Sequence, residues 1–195
     1  MTGITPLEFI HKKGNFGDHH KKNQKDLIKI SEVKNLIITQ LVQYKNSKTN
    51  LKDIKIDNLE IPSKNSSVKS NNVTRILWNA PRTWLVISHD EEIINKINKS
   101  CDKNDFAITD ISHSRAIIRI QGTQAKEVLK KGSPINFNEF GVNECAGTVF
   151  HGINILIDSI SDTPDTFNLL VLRSSGESFY HHITDASLEF GYVGI

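Results

Sequence analysis

Asp110, Ser112 and His113 stand within one run of four residues, Asp110-Ile111-Ser112-His113. An acid, a hydroxyl and an imidazole are the parts of an acyl-transfer triad, in which the imidazole takes the serine proton and the carboxylate orients the imidazole. That chemistry depends on convergence in space. Neighbours on an extended chain point to opposite faces, and no G-x-S-x-G elbow lifts Ser112 onto a strand-to-helix turn. The run therefore reads as a turn between two strands, held by side-chain hydrogen bonds.

Two histidine pairs, His19-His20 and His181-His182, raise the question of a metal. Adjacent histidines rarely converge on one ion, and no second ligand pair stands at zinc spacing. His182 also falls on the apolar stripe of a helix and reads as a packed core residue. Cys145 reads as a core cysteine at the start of a strand, because a reactive thiol needs an exposed, electropositive setting. No G-x-G-x-x-G or G-x-x-x-x-G-K-[ST] run is present, so the sequence offers no phosphate-binding loop. Trp78 and Trp84 read as core or interface residues. The residues by themselves define no catalytic, cofactor-binding or metal site.

The composition sets the frame for these residues. A chain of 195 residues suits one domain, with or without tails. Chains of this size bury about 70% of their unfolded surface, so the core needs no staples. The net charge of +2 balances 24 basic against 22 acidic residues, which is no nucleic-acid signature. The local exception is the cluster His11, Lys12, Lys13, His19, His20, Lys21, Lys22 and Lys25. It reads as a solvated tail or as a surface that docks on an acidic partner. Two cysteines make no disulfide framework. With no apolar targeting region and no run of ~20 apolar residues, the expected location is the cytoplasm.

Residues 1–26 lack a sustained period and read as an extended polar N-terminal arm; residues 27–195 read as one domain. Ile28 and Ile30 alternate with polar neighbours, which favours a strand. Residues 45–72, rich in Lys, Asn and Ser around Pro62, read as a loop or a degenerate element. Arg75–Trp78 and Trp84–Ser88 read as a hairpin. Asp90 then caps a helix that buries Ile93, Ile94 and Ile97. Strands follow at Phe106–Ile111 and Arg115–Gln121, and Thr123 caps a short helix with Ala125, Val128 and Leu129 inward. Cys145–Phe150, Ile153–Ile157 and Phe167–Leu172 read as three more strands. Ser174 and Glu177 have capping-box spacing, and open a helix with Phe179, His182, Ile183, Ala186 and Phe190 on one stripe.

The order ββα, ββα, βββα predicts an α+β fold of mostly antiparallel sheets with helices on one face, built of ferredoxin-like halves. Strands at 75–78, 84–88 and 167–172 are apolar at successive positions and need both faces covered. Few, short helices would leave Trp78, Leu85 or Leu170 for another chain.

The runs RILWNAPRTWLVI (75–87), DISHSRAIIRIQGTQAKEVLKKGSPINF (110–137), ECAGTVFHGINILI (144–157) and FNLLVLRSSGESFYHHITDASLEFG (167–191) resemble, in order and spacing, the gamma subunit of heterotetrameric sarcosine oxidase. That family is similar in turn to the glycine cleavage T protein, an aminomethyltransferase. The shared pattern is the turn Asp110–His113, Gly122, Ala125 to Leu129 and the strand Phe167 to Val171. The resemblance implies a truncated aminomethyltransferase-like folate-binding fold. The sequence LRSSGESFY stands where T proteins lead to their catalytic acid, and the long second half of a T protein has no counterpart. Within the gamma family, Ser133 replaces an expected cysteine and Leu172 a usual proline.

The resemblance implies a non-catalytic structural subunit that packs against the alpha subunit of a complex with beta and delta subunits. Such a complex demethylates sarcosine to glycine oxidatively, yielding hydrogen peroxide and 5,10-methylenetetrahydrofolate or formaldehyde. It would carry FAD, FMN, NAD, zinc and tetrahydrofolate on its other subunits and none in this chain. The alternative is a free-standing folate-binding protein of the aminomethyltransferase-like class, although the K-G-C-Y-x-G-Q-E motif of one such family is missing. A true aminomethyltransferase is disfavoured by length and by the missing acid.

Overall fold

The computed structural model describes residues 4–20 and 22–195, so Gly3 and Lys21 of the N-terminal segment lie outside the described residues. Its strands are β1 Gly14–Phe16, β2 Ile28–Glu32, β3 Ile37–Gln43, β4 Lys55–Ile56, β5 Leu59–Glu60, β6 Val68–Ser70, β7 Thr74–Ala80 and β8 Thr83–Ser88. They continue with β9 Phe106–Asp110, β10 Arg115–Gln121, β11 Cys145–Phe150, β12 Ile153–Asp162, β13 Asp165–Leu172 and β14 Tyr192–Gly194. The α-helices are α1 Ile93–Ser100, α2 Ala125–Lys130 and α3 Gly176–Ser187. Residues 27–195, read as one domain from the sequence, are shared between two compact units. The first takes the described residues of Met1–Lys34 with Ser114–Val142 and Ala146–Ile195; the second takes Asn35–His113 and Asn143–Cys145.

The first unit is built on a seven-stranded sheet in the order β1-β14-β2-β10-β13-β12-β11. β10 runs antiparallel to both β2 and β13, whereas β14 runs parallel to β2. Alternation decides the faces. Ile28, Ile30, Ala116, Ile118 and Ile120 are almost fully buried, and they pack in one cluster with Val128 and Leu129 of α2 and Phe179 and Ile183 of α3.

The first 26 residues, read as an arm, reach into this unit where they are described. β1 pairs with β14, and Leu7 is 0% exposed. The Thr5 hydroxyl and the Leu7 amide donate to the Glu32 carboxylate at 2.8 and 3.0 Å. A three-residue strand and single anchors leave no period for a sequence reading to find.

The second unit is built on the antiparallel sheet β6-β7-β8-β3-β9. Leu41, Ile76, Trp84, Val86 and Phe106 of the sheet form its core with Ile93 and Ile97 of α1. Residues 45–72, expected to be a loop or a degenerate element, hold a 3-10 turn at Leu51–Asp53, the hairpin β4–β5 and the edge strand β6. Asp57 and Asn58 both take positive φ, 51° and 64°. That is the requirement of a two-residue hairpin turn matched to strand twist. The hairpin delivers Ile56 to the core, flanked by Ile54 and Ile61. The Trp84 indole donates to the Pro62 carbonyl at 2.8 Å and so satisfies its one polar group.

Three local expectations change. Leu85 and Leu170 are 2% and 3% exposed, so the chain itself covers them; Trp78 is half-buried. Ser174 lies inside the 3-10 turn Arg173–Ser175, and α3 begins with no side-chain cap. Thr123 stands one residue before the N-cap position of α2, which also has no side-chain cap. Asp90 does serve the entry to α1, where its Oδ1 accepts the Glu92 amide at 2.9 Å. Gly191 is required at the end of the chain's last helical turn: its φ is 70°, and a Cβ there would stand 2.5 Å from the Asp18 carbonyl oxygen.

Candidate functional site

The Asp110–His113 run joins β9 to β10 through a 3-10 turn at Ser112–Ser114. The Ser112 amide and hydroxyl both donate to Asp110 Oδ1, at 2.9 and 2.5 Å. The Ile38 amide in turn donates to the Ser112 hydroxyl oxygen at 2.9 Å. The two bonds from Ser112, its hydroxyl first and then its amide, hold the Asp110 carboxyl below its ordinary range. His113 is exposed and its ring bonds neither partner. A triad needs the imidazole between acid and nucleophile. Here the acid holds the serine directly, and the imidazole takes no part in that bond.

The histidine pairs separate from their sequence reading. His182 is exposed, because the buried side of α3 is centred on Phe179, Tyr180, Ile183 and Ser187. Its ring stands 5.2 Å from that of His151, a residue the sequence did not single out. His181 Nε2 is 3.9 Å from Glu177 Oε1. His19 donates Nδ1–H to the Gly17 carbonyl at 2.8 Å, and its ring lies 4.2 Å from that of His20, tilted by 33°. Among the described residues no three His, Cys, Asp or Glu side chains converge where they could hold a metal ion.

His11 has a structural place. Its Nε2–H donates to the Ile195 carbonyl at 2.8 Å, and its Nδ1 lies 3.0 Å from the Tyr180 hydroxyl oxygen. Burial raises the Tyr180 pKa. Cys145 is 0% exposed, as a strand-start core cysteine should be, and its thiol donates to the Trp78 carbonyl at 3.1 Å. Burial pushes the Cys101 thiol up to about 11.

Two features of the second unit were not legible as a site. Lys96 on α1 reaches both Asp57 at 2.6 Å and Asp90 at 2.7 Å. The Thr74 hydroxyl adds a bond to Asp57 at 2.7 Å. Their positions, 57, 74, 90 and 96, share no motif; the hairpin alone brings Asp57 to α1. Between α1 and β9 lies a cavity of 540 Å³, lined by Thr39, Ile94, Asn98, Lys103, Ile108 and Asp110 among others. In the first unit a cavity of 210 Å³ includes Lys126 and Asp165, whose ion pair closes at 3.0 Å.

The fold places the chain in a class. It is similar to the glycine cleavage system aminomethyltransferase T from Bartonella henselae, with a TM-score of 0.60 at 10% identity, over 82% of this chain and 46% of that one. It is similar across 97% of both chains to a chain of the heterotetrameric sarcosine oxidase from Corynebacterium sp. U-96, with a TM-score of 0.84 at 18% identity. The architecture is thus an aminomethyltransferase-like α+β fold.

Residues 53–189 match the model of the sarcosine oxidase, gamma subunit family, and the chain belongs to that family. The sarcosine oxidase subunit gamma of Corynebacterium sp. (strain U-96) is 25% identical over 120 residues, 60% of this chain. The matched stretch spans 58% of that curated relative's length. Among the described residues no helix is long and apolar enough to cross a membrane.

Proposed function

We propose that this chain is a structural subunit of a heterotetrameric sarcosine oxidase, with no active site of its own, packed against the alpha subunit of a complex that also has beta and delta subunits. The complex would convert sarcosine, oxygen and water to glycine, formaldehyde and hydrogen peroxide, or pass the one-carbon unit to tetrahydrofolate. FAD, FMN, NAD, zinc and tetrahydrofolate would then reside on the other subunits, in the cytoplasm.

The observation that carries the reading is membership of the gamma family. The direct Asp110–Ser112 bond supports it, because the residues best suited to chemistry are tied into a turn. The likeness to aminomethyltransferase T favours one second reading, a free-standing folate-binding protein. Co-expression with the alpha-type subunit separates the two. Co-purification of a flavin-coloured complex is expected. A monomer that ignores the partner and binds tetrahydrofolate tightly establishes the second reading instead.

A further inference from the structure

The two edges of the five-stranded sheet differ. β6 has three residues and carries Lys69. β9 has five residues in unbroken register with β3, and no Lys, Pro or bulge. Folded chains blunt their edges with such devices, because a bare row of amides and carbonyls is a template for another strand. The pairing fixes which groups of β9 point outward. The Ile111 amide donates to the Ile38 carbonyl, and the Tyr44 amide to the Asp105 carbonyl, each at 2.8 Å. Hydrogen-bonded positions alternate along an antiparallel pair. Ala107 and Thr109 therefore direct their backbone groups to β3, while Ile108 and Asp110 direct theirs to the open edge.

Ile108 and Asp110 also line the 540 Å³ cavity, together with Ile94 and Asn98 of α1. Thr39, opposite Asp110 in the register, lines it too, and its hydroxyl is buried with no hydrogen-bond partner. Free edge and cavity share the same residues, which is the arrangement that strand addition uses: main-chain bonds give affinity and a pocket for a side chain gives specificity.

We infer that β9 receives an extended segment of the larger partner subunit as a sixth strand, with one apolar side chain of that segment seated between α1 and β9. The inference rests on the subunit reading above. Charge states the rest of the segment's chemistry. Lys103 is exposed on the cavity wall, and Asp110 has one carboxylate oxygen outside the turn's bonds. An acidic residue of the segment faces Lys103 and a basic one faces Asp110, which fixes register and orientation.

Amide hydrogen exchange on the chain, alone and in complex with the alpha-type subunit, tests this. The Ile108 and Asp110 amides are expected to slow by roughly tenfold or more in the complex. Asn98→Trp, which fills the cavity from an exposed helix position, and Ile108→Pro, which removes an outward amide, are each expected to weaken partner binding by roughly tenfold with the fold retained. A formed complex in which both amides exchange at the free rate overturns the inference, whether or not the variants fold. Failure of the wild-type chain to form any complex overturns the subunit reading and this inference together.

Discussion

The Ser112 hydroxyl donates to Asp110 at 2.5 Å, and the same oxygen accepts the Ile38 amide at 2.9 Å. One serine therefore stitches β3 to the end of β9. Ser112→Ala removes the acceptor and leaves the Ile38 amide without its partner, at a cost of about 1–3 kcal/mol. In a chain of this size each kcal/mol lowers the melting temperature by about 2–4 °C. His113→Ala, at an exposed ring, is expected to stay within about 0.5 kcal/mol of wild type. Calorimetric melts of both variants check this, and in the complex proposed above turnover should be unchanged by either. A loss of several orders of magnitude in an intact complex with His113→Ala contradicts the turn reading.

Lys96 holds Asp57 and Asp90 together, and its pKa is raised by those bonds. The Asp57 carboxyl is lowered from 3.8 to about 2, by the Lys96 bond first and then by the Thr74 hydroxyl. A carboxyl whose folded pKa lies below its unfolded one stabilises the fold above the unfolded value. That stability is lost as pH falls through the folded value. Urea midpoints of the wild-type chain should therefore fall between pH 3.8 and about 2. Lys96→Met should be less stable at neutral pH and show a flatter fall across that window. Parallel curves for the two proteins count against the network.

Both thiols should resist alkylation in the native chain. Cys101 and Cys145 are 1% and 0% exposed, and burial pushes the Cys101 thiol up to about 11. Only thiolate attacks an alkylating agent. Iodoacetamide labelling followed by mass spectrometry is expected to track unfolding by urea, and rapid labelling of either residue in the folded protein contradicts the burial.

The N-terminal segment yields a paired test. Leu7 is 0% exposed and Phe9 is 82% exposed, two residues apart. Leu7→Ala should cost about 2–5 kcal/mol as a core truncation. Phe9→Ala should stay within about 0.5 kcal/mol of wild type in the lone chain. Equal, small effects would mean that the segment does not pack as described.

The longer strands were legible: Ile28 and Ile30 and the inward set Ala116, Ile118 and Ile120 sit as their period requires, and the continuous apolar runs of β7 and β8 form their hairpin. The β4–β5 hairpin was hidden because each strand has only two residues, and one Ile between lysine and aspartate makes no period. Its usable signal was Asp57-Asn58, two residue types that tolerate positive φ. His182 misled because a helix stripe drawn through Phe179 and Ala186 leaves the centre of the buried face ambiguous by one position. Tyr180 and Ser187 are buried, and they turn that face away from His182. The cavity beside β9 was beyond sequence reasoning, since it depends on how α1 lies over an edge strand.

β14 lies between β1 and β2, and Tyr192 pairs with Ile28 while Val193 pairs with Lys29. Pairing across so long a stretch of chain carries a loop-closure cost and is slow to nucleate. The strands of the second unit, from Ile37 to Asp110, are by contrast almost continuous in sequence. During synthesis that unit has its strands in hand early. β2 emerges before it, yet waits for Arg115–Gln121 on one flank and for Tyr192–Gly194 on the other. For that interval the apolar Leu27–Ile30 stretch lacks both of its strand neighbours, which exposes it to mispairing and to capture by chaperones.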